Sequence, residues 1–252
     1  MSDHQTQHGH GHGHQHGQQH GQQHGQQHGH GGPPPGMPPL PDSADGLPAW
    51  WEELYGGDDT RWSGRANARL VEAVAQLGVV PGRALDLGCG EGGDVVWLAQ
   101  QGWTATGVDV AHAAVAKARR AAQARGVDVV LERHDLTRTF PEGEFDLVNA
   151  QFLQAPVGWP RAEVLRRAAS AVAPGGHLLV VDHAAPPPWA DLDEQARIGF
   201  PTPQQVLADL ALGDGWEVVR AEVAARPATG PAGSGAQHGH LEDSVVLVRR
   251  GD

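Results

Sequence analysis

Between Arg83 and Asp94 an apolar run that carries one carboxylate meets a cluster of glycines: Arg83-Ala-Leu-Asp-Leu-Gly-Cys-Gly-Glu-Gly-Gly-Asp94. Residues of these types in this order predict a strand, a tight turn and a helix N-terminus. Such an arrangement holds a nucleotide-like ligand against backbone N–H groups. Read literally, Gly88-x-Gly-x-x-Gly93 matches the dinucleotide fingerprint, so an NAD-dependent enzyme enters consideration.

Three carboxylates shift the balance away from a dinucleotide. Asp86 lies inside the strand, two residues before the first glycine, where it can bind the ammonium of an amino-acid moiety and would repel a pyrophosphate. Asp109 ends the next apolar run, 23 residues later, where a carboxylate can take both hydroxyls of a ribose. Asp135 follows the third run and can accept from an adenine amino group. An amino acid, a ribose and an adenine without phosphate describe S-adenosylmethionine (SAM). The glycines let the backbone approach such a ligand closely, and Glu91 adds negative potential expected to lie beside its sulfonium.

The surrounding pattern supplies elements to position these groups. Strands are expected at Arg83–Leu87, Thr104–Val108, Val127–Glu132, Phe145–Ala150 and His177–Asp182, with helices between them at about 66–77, 94–101, 111–125 and after Pro160. Thr202-Pro-Gln-Gln205 reads as a capping box with proline at N1, opening a short helix to about Leu212. Two last strands, Trp216–Ala224 and Ser244–Arg250, have no helix between them and should pair as an antiparallel hairpin. The expected fold is α/β: a Rossmann-like, doubly wound sheet of seven strands, mostly parallel, with an antiparallel C-terminal hairpin.

Leu85-Asp-Leu-Gly-Cys-Gly-Glu-Gly92, Gly107-Val-Asp109, His134-Asp-Leu136 and Ala173-Pro-Gly-Gly176 resemble the successive motifs of class I SAM-dependent methyltransferases. The resemblance covers about Arg83 to Asp182. Trp62-Ser-Gly-Arg-Ala-Asn67 and Ala150-Gln-Phe-Leu153 resemble the small-molecule methyltransferases of the tellurite-resistance and thiopurine types. By this resemblance Asp86, Gly88, Cys89, Gly90 and Gly92 hold the methionine end, Asp109 with Val110 the ribose, and Asp135 with Leu136 the adenine. Gln151 lies near the reacting methyl. Tyr55 and Trp62 are candidates for covering the site. Arg65 is a candidate clamp for an anionic substrate, and His183, at a strand end, a candidate substrate contact or base. No Asp/His pair stands out in the sequence, which favours an acceptor already deprotonated, such as a thiol or a chalcogen anion.

Composition bounds the partners. Acidic residues outnumber basic ones 30 to 18 and the formal charge is −12, so a nucleic-acid substrate is not expected and a small molecule is. No apolar run suits a membrane span or a signal-peptide core, and Cys89 is the lone cysteine; these features point to the cytoplasm. Residues 1–48 hold almost no large apolar side chain and are expected to be a disordered His/Gly/Gln-rich tail and proline-rich linker, ahead of one catalytic domain at 49–252. Ten histidines lie between His4 and His30. Those at His8, His10, His12, His14 and His16 alternate with glycine or glutamine and suit nickel, zinc or copper, and His238 and His240 form a second pair. The competing reading is therefore a metal-binding or metal-buffering protein on a methyltransferase-like scaffold.

Overall fold

A computed structural model describes residues 37–186, 199–228 and 239–252. The tail histidines and His238 lie outside these residues. The chain divides into two units, residues 1–32 and 33–252, and the second carries every element below.

Seven strands form one sheet: β1 Arg83–Leu87, β2 Thr104–Asp109, β3 Val130–Arg133, β4 Phe145–Gln151, β5 Val172–His183, β6 Trp216–Ala228 and β7 Gly239–Arg250. Their order is β3-β2-β1-β4-β5-β7-β6. The first five are parallel, and β7 pairs antiparallel with both β5 and β6. The expected architecture is thus observed. The order reverses between β1 and β4, and in such sheets ligands bind at the C-terminal ends of the strands on either side of the reversal.

Side chains alternate across each strand and feed two cores. Leu85, Leu87, Val148, Ala150, Leu178, Val180, Val246 and Val248 face helices α5 Arg161–Ser170 and α6 Pro203–Leu210. Ala84, Leu147, Leu179, Val181, Val245 and Leu247 face α2 Ala68–Leu77 and α3 Gly93–Gln100. Buried on both faces, β1 and β4 are largely apolar, as are residues 178–181 of β5 and 245–248 of β7, and a polar side chain within such a run is conspicuous. α1 Leu47–Tyr55 packs on α4 His112–Arg125, where Glu52 accepts the N–H groups of His112 and Ala113 at the helix start. Before it, Pro38 is buried and its carbonyl accepts from the Trp50 indole at 3.3 Å.

Several boundaries differ from the sequence expectation. Val127 belongs to the end of α4, its N–H returning to the Ala122 carbonyl at 3.2 Å after Gly126 turns the chain at φ 65°, so β3 begins only at Val130. β5 starts at Val172 because the register on β4 shifts between Phe145 and Leu147 and takes in the Pro-Gly-Gly turn. β6 and β7 pair out to Ala228 and Gly239, beyond the expected ends. Thr202 and Gln205 form the reciprocal capping box that the sequence spells.

Candidate active site

Asp86 and Asn149 are register partners on β1 and β4, both buried on the face toward α2 and α3. Asn149 Nδ2 donates to Asp86 Oδ1 at 2.8 Å and to Asp94 Oδ2, in the first turn of α3, at 3.2 Å. Both N–H groups of that amide are then used, so its oxygen must face the other way. There Asn149 Oδ1 accepts Gln151 Nε2 at 2.9 Å, which leaves Gln151 Oε1 as the free end of the relay. Asp86 Oδ2 and Gln151 Oε1 are both buried without a hydrogen-bond partner. Burial, with the Asp94 carboxylate beside it, pushes the Asp86 carboxyl well above the usual carboxylate range. Burial also raises Asp94, against the N–H groups of Asn67, which reach it at 2.7 and 3.0 Å. Asn67, Asp94 and Asn149 escaped the sequence reading. Asp94 closes the glycine stretch and Asn67 the motif from Trp62, without either being a candidate, and Asn149 carried a signal as a polar residue inside an apolar strand.

Asp109 ends β2 beside this group. Its Oδ2 accepts the Gly90 N–H at 3.0 Å and its Oδ1 the Ala111 N–H at 2.9 Å. Burial raises its carboxyl to about 6 against the pull of those N–H groups. A carboxylate offers roughly four lone pairs, so both oxygens retain capacity for a further donor. The turn between is tight. Gly88 sits at φ 67°, where a Cβ would come within 2.8 Å of Leu153 Cδ1, and Gly90 at φ 52°, where one would stand 3.0 Å from the Tyr55 hydroxyl. Cys89 spends its N–H on the Val108 carbonyl at 2.9 Å and is packed in the turn, where burial pushes its thiol well up.

Tyr55 is buried over the glycine turn and its hydroxyl accepts from the Trp62 indole at 3.2 Å. Glu91 holds this cover down. Its carboxylate accepts the N–H of Arg61 at 3.0 and 2.9 Å and that of Trp62 at 3.0 Å, and pairs with Lys117 Nζ at 3.1 Å. Each Glu91 oxygen thus accepts two of these contacts, which fasten residues 61 and 62 over the turn.

The remaining candidates fall apart by position. Asp135 is folded into its own turn, with Oδ1 accepting the N–H and hydroxyl of Thr137 at 3.0 and 2.6 Å and Oδ2 lying 3.3 Å from Arg138 Nε. An adenine amino group there would use whatever lone pairs are left. Leu136 is buried in the core, and Val110 is half-buried with its carbonyl accepting from Arg133. Arg65 is exposed and lines a cleft of about 210 Å³ against α3 that none of the other candidates lines. His183, half-buried at the end of β5, stacks on Phe152 with ring centroids 4.3 Å apart. A larger cleft of about 330 Å³, lined by Pro174, Trp216, Arg250 and Asp252 among others, lies at the opposite edge of the sheet and holds none of these residues. Among the described residues no group of three His, Cys, Asp or Glu side chains is placed to hold a metal, and no helix is long and apolar enough to cross a membrane.

Residues 84–176 match the methyltransferase domain family. Over 138 residues the chain is 36% identical to a demethylmenaquinone methyltransferase of Thermus thermophilus, spanning 53% of this chain and 59% of that protein. Over 154 residues it is 32% identical to a 2-heptyl-1-hydroxyquinolin-4(1H)-one methyltransferase of Mycobacteroides abscessus, spanning 58% and 66%. The chain thus covers under two thirds of either relative. Among solved structures, one described under the conversion of a disulfide bond into a thioacetal group during echinomycin biosynthesis superposes with a TM-score of 0.61 at 24% identity, over 82% of this chain and 92% of that one. TehB from Haemophilus influenzae superposes with a TM-score of 0.56 at 15% identity, over 74% and 62%. These two likenesses establish the fold.

Proposed function

We propose, from the premise that the chain belongs to the class I SAM-dependent methyltransferases, that it transfers the methyl group of SAM to a small-molecule acceptor. The observation that carries this reading is the pair of buried, unpartnered acceptor atoms, Asp86 Oδ2 and Gln151 Oε1, beside the glycine turn at the point where the strand order reverses. A buried carboxylate oxygen without a donor is costly unless a cation completes it. The α-ammonium of SAM, with three N–H donors, fits both atoms; a pyrophosphate fits neither. Asp109 takes the ribose hydroxyls, and Gly88 and Gly90 leave the space a side chain would fill. When bound, SAM supplies a methyl on a sulfonium sulfur that a nucleophile displaces directly. The chain's own work is to hold the cofactor by its polar ends, align an acceptor and exclude water beneath Tyr55.

The acceptor is a small molecule. Besides a quinone and a hydroxyquinolinone methyltransferase, the relatives include a 27-O-demethylrifamycin SV and a fatty-acid O-methyltransferase, and their names share small organic substrates. A thiol or chalcogen anion, the acceptor favoured by the sequence, is the alternative. Calorimetry with SAM, S-adenosylhomocysteine and NAD tests the reading. The first two should bind and NAD should not. Binding of NAD with no response to S-adenosylhomocysteine would sink it. We further propose that the tail histidines, His8 to His16 among them, bind nickel, zinc or copper. The same titration with these ions, repeated on a chain lacking residues 1–36, should show binding only when the tail is present.

A further inference from the structure

Gln151 and Val181 are register partners on β4 and β5, and His183, two residues further along β5, lies on the same sheet face. Its imidazole is therefore presented at the C-terminal strand ends, next along from Gln151. The ring lies on Phe152 at an interplanar angle of 25°. Phe152 itself holds φ at 51°, a left-handed conformation that costs a bulky residue about 1–2 kcal/mol. Its N–H is pinned to the Val181 carbonyl at 2.7 Å. Strain of this kind gathers where a side chain must be aimed. Neither ring nitrogen of His183 has a hydrogen-bond partner among the described residues.

The stack is braced from three elements. Arg226 on β6 lies 5.8 Å from the Phe152 ring centroid. Its guanidinium pairs with Asp243 on β7, the register partner of His183, at 2.9 Å. Arg69 on α2 pairs with the same buried carboxylate at 3.2 Å. Burial and then the Arg226 charge lower the His183 pKa, while Asp243 works against them, so the ring is a neutral imidazole with a lone pair at neutral pH.

Resting on the methyltransferase reading above, we propose that His183 is the general base for an acceptor that bears a hydroxyl group. The imidazole nitrogen takes the hydroxyl proton while the oxygen lone pair forms the new carbon–oxygen bond. The carbon–sulfur bond of SAM breaks with its electron pair returning to sulfur, and the imidazolium passes its proton to solvent. A thiolate or chalcogen anion needs no such base.

The test uses the full chain with a panel of phenols and of aromatic thiols of matched size chosen to be ionised at the assay pH, following SAM consumption, and calorimetry of S-adenosylhomocysteine on each variant. His183→Phe keeps an aromatic ring on Phe152 and removes the base; His183→Ala removes both. The expected result is turnover of phenols that falls roughly 10²–10⁴-fold in both variants. Turnover of thiols and the affinity for S-adenosylhomocysteine should stay within about threefold. Equal losses on phenols and thiols, an unchanged rate on phenols, or no turnover of any phenol by the wild-type chain overturns the proposal. Intact S-adenosylhomocysteine binding in those cases leaves the cofactor reading standing, whereas absent binding removes both.

Discussion

At the scale of single residues, the site depends on carboxylates that the fold makes reluctant to ionise. Asp109 is the case with the most direct consequence. Burial lifts its carboxyl to about 6, above the roughly 3.9 of an exposed aspartate. Ribose hydroxyls donate to the ionised form, so affinity should follow deprotonation: weak below pH 6 and rising to a plateau above it. Calorimetric titration with S-adenosylhomocysteine from pH 5 to pH 8 should show about tenfold weaker binding at pH 5 than at pH 7, and Asp109→Ala should be weak and flat across the range. A flat wild-type profile would detach Asp109 from the ribose. Asp86, Asp109 and the glycines were legible in the sequence because they occupy one local motif each. Asn149 was not, since its meaning arises only when β4 lies beside β1 and brings it to Asp86 across 63 residues of chain.

At the scale of elements, the segment between α1 and α2 is a strap fastened by one side chain. Glu91 receives two backbone N–H groups of the strap, and Lys117 ties the same carboxylate to the Asp59 carbonyl at 2.6 Å. Burial alone would raise the Glu91 carboxyl, but the N–H groups of Trp62 and Arg61 and the Lys117 ammonium hold it below its ordinary value. With the folded pKa depressed, its contribution to stability is present above the unfolded value of roughly 4.3 and is lost as pH falls through the folded one. Glu91→Gln leaves Lys117 buried without its counter-charge and should cost about 3 kcal/mol. Hydrogen exchange at the Arg61 and Trp62 amides should accelerate in this variant at neutral pH, and in the wild type only under acid conditions. Equal protection in both would place the strap's anchor elsewhere. From the sequence Tyr55 and Trp62 read as candidates for covering the site, but nothing in it marked Glu91 as the anchor. Periodicity and glycine stops located the strands and the helices from α2 onward to within a few residues; they missed α1, and failed where pairing extends an element, as at β6 and β7. The Arg69–Asp243 contact that fixes this hairpin on α2 joins residues 174 positions apart, beyond any local pattern.

For the molecule as a whole, the buried acids should invert the usual dependence of stability on pH. Asp109 and Asp182 are each raised to about 6 by burial, and Asp86 and Asp94 are raised as well. A raised folded pKa means the native state binds protons more tightly than the unfolded chain. The stabilisation is therefore complete below the unfolded pKa and disappears as pH rises through the folded value, at about 1.4 kcal/mol per pH unit between roughly 4 and 6 for Asp109 and for Asp182, with Asp86 and Asp94 acting in the same direction. The formal charge of −12 acts in the same direction, because acidification relieves self-repulsion. Glu91 opposes only near its own, lower pKa. Denaturant midpoints measured without cofactor should then climb from pH 8 to about pH 5 before falling. Asp182 offers the sharpest check. Its Oδ2 pairs with Arg161 at 2.5 Å, while Oδ1 is unpartnered on the strand facing Ser244, whose hydroxyl is unpartnered too. In Asp182→Asn the new amide can donate toward Ser244 and keep its carbonyl on Arg161, so the fold survives while one titrating group is removed. The slope between pH 4.5 and pH 6 should shrink by about 1 kcal/mol per pH unit. An unchanged slope would mean that Arg161 keeps Asp182 ionised across this range and that the inversion rests on Asp86, Asp94 and Asp109 alone.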